Sequence, residues 1–349
     1  MYRRTSRAMA IALTLSLGAF GSGACGSGNG GGSGGQSSSG GKQIKVGVVT
    51  DIGGLNDRSF NALANKGLKD AEKQLGVQGR VLISNSNADY IPNLSTLAQQ
   101  KYDLIVAVGF LMANALNTVA TKFPQQKFAI IDFSQSALKS KPKNVEGLLF
   151  KEQEAGYLVG YLAALYAKDN GGGAISSVGG QKIPPVDHYI AGYQAGAKKA
   201  DPSIKMMNGY SQDFVKQDLC KEIALNQIAE GSKVVFQVAG QCGLGAIDAA
   251  KEKKTEAIGV DADQSYLGPE VLTSALKKVD VAVFKAIKSV QDGNFKAGTD
   301  TISTVKNGGV GIGKISPAGQ KYAGKVKKVQ QQIASGKIAN IPDTVGGGT

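Results

Sequence analysis

The sequence predicts an α/β protein of two lobes, each a parallel sheet wound on both sides by helices. Three observations lead there. Short runs rich in Val, Ile and Ala alternate with longer stretches of helical spacing from residue 44 onward, which is the pattern of right-handed βαβ units. Several of the strand-like runs end on an acid or a glycine turn, as they do at the ligand-facing edge of open α/β sheets. Roughly 300 residues follow the N-terminal segment, more than one core comfortably holds.

In chain order, residues 46–50, 81–84, 104–108 and 128–131 read as strands, with helices at 60–75, 92–100 and 113–123 between them. After a strand at 145–150, a helix at 152–167 opens a second series. Its strands are 174–178, 205–208, 234–238 and 257–260, and its helices 186–199, 216–229 and 244–253. A strand at 271–276, a helix at 279–290 and a strand near 300–305 then cross back to the first lobe, and 316–335 returns as a terminal helix. The N-terminal lobe is thus expected to hold 43–149 and about 278–305, and the C-terminal lobe 150–277 and about 306–345. Such crossings make a hinge, with a cleft between the two carboxyl edges.

The chain opens with Arg3, Arg4 and Arg7, an apolar run over 8–20, and small residues before Cys25, the layout of a secretory signal over 1–24. The run falls short of the ~20 residues of a spanning helix. Ser22-Gly23-Ala24-Cys25 resembles a bacterial lipobox, with Ser22 where Leu is usual, and makes Cys25 the expected lipid-bearing N-terminus. Residues 26–41 are almost entirely Gly and Ser, so 25–42 reads as a lipidated Cys and a flexible tether reaching on the order of 20–25 Å; the bland reading is a disordered N-terminus. The formal charge of +13 becomes +10 without the three arginines, because 1–24 carry no acid. The lysines are scattered along helices and read as solvated faces rather than a nucleic-acid site.

The stretch from Lys45 to Asn61 places Asp51 at the end of a strand, then Gly53-Gly54, then Asp57, Ser59, Phe60 and Asn61 at a helix start. Acids, donors and an aromatic face suit a small molecule with hydroxyls and a flat ring. Asp132 ends the strand at 128–131 and adds another acid to that edge. Phe214 closes a polar turn over 209–214 ahead of a second-lobe helix. It reads either as a core residue or as the ring facing Phe60 across the cleft, where each stack is worth roughly 1–3 kcal/mol by analogy with bases on aromatic side chains. Gly240 lies in a glycine-rich turn over 239–245 that lets backbone approach a ligand. Its spacing is G-x-x-G-x-G, not the dinucleotide fingerprint, and 308–314 fails as a P-loop because Ile315 stands where Ser or Thr is needed. Asp261, ending another strand, and Lys277 read as a clamp on vicinal hydroxyls or as an internal ion pair at the hinge.

His188 is the single histidine and reads as a solvated or capping residue sooner than as a ligand contact. With no Cys–His pairing and no metal-ligand spacing, the sequence offers little for catalysis, a metal or a cofactor. Cys220 and Cys242 both lie on the carboxyl side of the second lobe, as a disulfide or as two free or partly buried thiols.

The combination VTDIGGLNDRSFN, AVGF, FAIID, EQEAGYLVGYLAAL, VVFQVAGQCGLG, GVDADQ and VLTSALKK, spread over nearly all of 44–340, resembles the basic membrane protein family. That resemblance implies the type I periplasmic-binding-protein fold and a lipid-anchored, monomeric receptor outside the cytoplasm. Its ligand is a nucleoside, its partner an ABC importer permease, and nucleic acid is not a partner. The motif positions that match the family's ligand contacts are Asp51, Phe60, Asp132, Phe214, Gly240, Asp261 and Lys277, with Asn61 nearby. The sequence departs from the pattern at Gln241-Cys242, which replace small residues, and at Lys216, where an Asp often follows the second aromatic. The alternatives are a secreted nucleoside hydrolase using paired acids, a surface sensor or adhesin, and a sugar-binding receptor.

Overall fold

The computed structural model describes residues 43–346; the expected signal segment, Cys25 and the tether lie outside them. The first sheet contains β1 (Lys45–Val49), β2 (Gln78–Leu82), β3 (Leu104–Ala107), β4 (Phe128–Ile131), β5 (Val145–Phe150) and β11 (Asp300–Ser303). Their spatial order is β11-β5-β4-β3-β1-β2, and every pairing is parallel. β3 and β4 are LIVA and FAII with every residue buried, as central strands covered on both faces require. The covering helices are α1 (Phe60–Leu75), α2 (Tyr90–Gln99), α3 (Ala113–Lys122) and α8 (Val279–Gln291).

The second sheet contains β6 (Ala174–Gly179), β7 (Lys205–Tyr210), β8 (Ser232–Val238), β9 (Glu256–Asp261), β10 (Val271–Lys277) and β12 (Val310–Ile312). Its order is β12-β10-β9-β8-β6-β7, parallel except for β12, which runs antiparallel to β10. With it belong α4 (Glu152–Asp169), α5 (Pro184–Ala200), α6 (Gln217–Ala229), α7 (Gly243–Lys253) and α9 (Ala323–Ala334). The two sheets repeat one winding order, so each strand order reverses at one place, beside β1 in the first and beside β6 in the second. A crevice opens at such reversals on the carboxyl side. The chain passes between the sheets after β5, after β10 and between β11 and β12.

α4 and α5 are packed backbone to backbone. A Cβ on Gly160 would stand 1.9 Å from the carbonyl oxygen of Tyr193, and one on Gly196 would stand 2.0 Å from that of Tyr157. Only glycine permits this approach, and it sets Glu152 at the head of α4 beside His188 and Tyr189 on the first turns of α5.

Two local readings change, and one strand is added. The first-lobe edge strand is Gln78–Leu82 rather than 81–84, because the polar QGR segment pairs with Lys45–Gly47 and backbone pairing, not apolarity, defines an edge. The segment 308–314 holds the antiparallel strand β12. The terminal helix begins as tight 3₁₀ turns over Pro317–Tyr322, with regular α-helix only from Ala323. No helix among the described residues is long and apolar enough to cross a membrane.

Candidate functional site

The loops at the carboxyl edges of both sheets converge on one cavity. Asp51, Phe60, Asn61, Asp132, Phe214, Gly240, Asp261 and Lys277 all line it, together with Asp57, Gly109, Phe110 and Tyr189. Asp51, Phe60, Asn61 and Asp132 come from the first lobe. Phe214, Gly240, Asp261 and Lys277 come from the second.

At the end of β1, Asn61 holds the turn. Its Oδ1 accepts the Asp51 N–H at 2.9 Å, and its Nδ2 donates to the carbonyls of Asp51 at 3.3 Å and Ile52 at 3.4 Å. The amide is therefore committed to the loop although it faces the cavity. Asp57 caps α1: its carboxylate accepts the backbone N–H groups of Asn61 at 2.7 Å and of Ser59 and Ala62 at 3.1 Å, satisfying donors that a helix start leaves open. Asp51 accepts the Ile52 N–H at 2.7 Å and the Tyr90 hydroxyl. Burial pushes its carboxyl up to about 6 despite those two bonds.

Lys277 ends β10 and is buried. Its Nζ lies 2.6 and 2.7 Å from the two oxygens of Asp132 and 2.8 Å from Glu152 Oε1. The rings of Phe60 and Phe150 sit 5.1 and 4.9 Å from the same ammonium. Glu152 Oε2 in turn meets His188 Nδ1 at 3.1 Å. One chain of charge thus runs from β4 of the first lobe through Lys277 to α4 and α5 of the second. Burial works against the ammonium, but the carboxylates of Asp132, Glu152 and Asp261 outweigh it and hold it well above the ordinary lysine range. Burial would raise Glu152, yet Lys277 and His188 bring it below the usual value, whereas burial raises Asp132 further than Lys277 pulls it back.

Asp261 accepts the Tyr189 hydroxyl at 3.1 Å, and burial lifts its carboxyl to about 6 against the pull of Lys277. Among the direct ion pairs of Lys277 are Asp132 and Glu152, so the Asp261–Lys277 reading shifts: the lysine is anchored by other acids. Asp132 and Asp261 both sit at positive φ, 67° and 61°. Non-glycine residues are uncommon there, and such strain clusters at functional positions.

The aromatic walls come from both lobes. Phe60 is the first residue of α1. Phe214 precedes α6, its ring laid on Gly180, where a Cβ would stand 2.3 Å from Cε1. Phe110 packs against Phe133 with centroids 5.2 Å apart.

The residues missed from sequence are Glu152, Tyr189, Tyr90 and Phe110. Two of them had a visible signal: Glu152 at the polar head of the mostly apolar helix EQEAGYLVGYLAAL, and Phe110 at the end of AVGF. His188 is not a free cap; it is the outer member of the Lys277 network. Cys220 and Cys242 form a disulfide with Cα atoms 5.6 Å apart.

These buried acids give the fold a testable pH dependence. A carboxyl at about 6 when folded and about 3.9 when unfolded leaves the folded chain with more bound protons between those values. Stability therefore rises as pH falls through that window and is lower above it. His188, raised by its Glu152 contact although burial opposes this, acts in the same direction. Glu152, held low, opposes only below its usual range. The urea midpoint of the ligand-free protein is expected to be higher at pH 5.5 than at pH 7.5, with Asp51→Asn reducing the difference; a midpoint that falls on acidification would contradict these shifts.

Two doubly wound lobes about a shared cleft define a solute-binding protein of the type I periplasmic-binding-protein fold. Residues 44–344 match the family model for the ABC transporter substrate-binding protein PnrA-like, named Bmp, and the chain belongs to that family. It is 39% identical over 304 residues to an uncharacterized lipoprotein of Pyrococcus horikoshii, covering 82% of this chain and 74% of that one. It is 35% identical over 317 residues to the ABC transporter nucleoside-binding protein BmpA of Lactococcus lactis, covering 84% and 88%. Among solved structures, a solute-binding protein of an ABC transporter system from Aeropyrum pernix superposes with a TM-score of 0.78 at 30% identity, covering 86% of this chain and 94% of that one.

Proposed function

We propose that this chain is a lipid-anchored receptor outside the cytoplasm that captures a nucleoside, preferentially a purine nucleoside, and delivers it to an ABC importer without chemical change. The observation that carries the reading is the cavity itself: Phe60 and Phe214 come from opposite lobes, and Asp51, Asp132, Asp261 and Lys277 line the same space. Rings offered from both sides suit a flat base, and carboxylates accept the hydroxyls of a sugar. Lys277 is already faced by two acids, so the site carries excess negative charge and disfavours a phosphate. The name of the Lactococcus relative supports the nucleoside, and that of the Pyrococcus relative supports the lipid anchor on Cys25.

The lobes, 43–149 with about 278–305 and 150–277 with about 306–345, turn about the three crossings. A ligand touching both stabilises the closed form, because only differential contact shifts such an equilibrium. The receptor works as a monomer, needs no cofactor and does not bind nucleic acid.

Incubating the protein with inosine tests the reading against the hydrolase: bound inosine with no hypoxanthine released is expected, with inosine monophosphate rejected. Accumulating hypoxanthine would make the protein an enzyme, and nucleoside uptake by cells that is unchanged without the protein would make it a sensor or adhesin. Asp261→Ala is expected to weaken adenosine binding more than adenine binding. Equal losses by calorimetry would remove Asp261 from the sugar.

A further inference from the structure

Phe214 belongs to no strand or helix; its ring packs against the buried core, and its main chain is held by neighbouring loops. Its carbonyl accepts the N–H of Cys242 at 3.0 Å. Ahead of it, Ser211 Oγ donates to the Asp213 carbonyl at 2.8 Å, and Asp213 Oδ1 accepts the N–H groups of Val215 at 2.6 Å and Lys216 at 2.9 Å. Beside it, Gly240 turns at φ 56°, and a Cβ there would lie 3.5 Å from the Phe214 carbonyl oxygen. The disulfide spans this arrangement. Cys220 is in the first turn of α6, which follows Phe214, and Cys242 ends the turn that carries Gly240 and Gln241. Both sulfur-bearing residues are buried, and α6 and α7 touch where a Cβ on Gly245 would stand 1.9 Å from the Gln217 carbonyl oxygen.

We infer that the Cys220–Cys242 bond is a positioning device of the cleft, holding the second-lobe aromatic wall and the Gly240 turn in binding geometry before ligand arrives. The role of Phe214 in it rests on the function proposed above. A wall fixed in advance does not have to be ordered on binding, and that preorganisation appears as affinity. A bond serving stability alone would act on the unfolded chain and leave affinity unchanged.

The test compares the full chain with its Cys220→Ala/Cys242→Ala variant, alone and combined with Phe214→Ala. Should the variant not fold, wild-type protein treated with a dithiol replaces it; the dithiol supplies two electrons and two protons, giving two thiols and its own cyclic disulfide. Adenosine affinity is expected to fall about 3- to 10-fold on loss of the bond, and less than about 2-fold when Phe214 is already Ala, as coupled residues behave. Hydrogen exchange without ligand is expected to quicken at the main-chain N–H of residue 242. An equal affinity loss on both backgrounds, or lowered stability with unchanged affinity, would overturn the inference. If the wild type binds no nucleoside, the functional reading fails, and exchange still decides: unchanged protection at residue 242 would refute positioning.

Discussion

Lys277→Met is expected to lower the unfolding free energy by about 3–5 kcal/mol and to abolish measurable ligand binding. The ammonium is buried between Asp132, at 2.6 Å, and Glu152, at 2.8 Å, and removing one member of a buried charge cluster leaves the others without compensation. The loss of binding has a separate cause. Lys277 lines the cavity, and through Asp132 and Glu152 it joins the end of β4 in the first lobe to β10 and α4 of the second. Adding Asp132→Asn to Lys277→Met is expected to recover part of the stability, because Glu152 keeps His188 as a partner, but not the affinity. Urea unfolding with and without Asp132→Asn checks the first half and calorimetry the second. A Lys277→Met protein of wild-type stability would mean that the cluster contributes nothing net.

Phe214→Ala and Phe60→Ala form the second prediction. Each is expected to weaken binding of a purine nucleoside by roughly 1–3 kcal/mol, about 5- to 150-fold. The competing reading is that these rings are core. A buried Phe→Ala change costs about 3–5 kcal/mol of stability, whereas a cleft-lining ring gives up contacts mainly with the ligand. Both rings border the cavity and neither is fully buried, so the larger loss is expected in affinity. Near-wild-type affinity with a strongly lowered urea midpoint in both variants would return the rings to the core.

Much of the fold was legible because buried parallel strands are continuous apolar runs. Leu104–Ala107 and Phe128–Ile131 fall where the sequence places them. The edges were harder. β12 is three residues, VGI, flanked by glycines, and only its antiparallel pairing with β10 makes it a strand. β2 begins in polar QGR for the same reason.

In the site, the acids at strand ends announced themselves, because an Asp after an apolar strand has no place in a core. What they bond to did not. Asn61 bracing the Asp51 turn, Tyr189 on Asp261 and Glu152 on Lys277 join residues 10, 72 and 125 positions apart respectively, counting along the numbering. Only the last two follow from the approach of α4, α5 and the second sheet, which the GYLVG and GYQAG glycines permit. The spacing of a sequence does not reveal such a meeting.

Calorimetric titration of residues 43–349, unfolded and refolded to remove carried-over ligand, against a panel of nucleosides, free bases and sugars tests the central claim most directly. Saturable binding of purine nucleosides, tighter than that of the matching bases or of ribose, is the predicted result. No heat with any nucleoside, together with saturable binding of a sugar or another solute, would contradict the ligand while leaving the fold and the family in place.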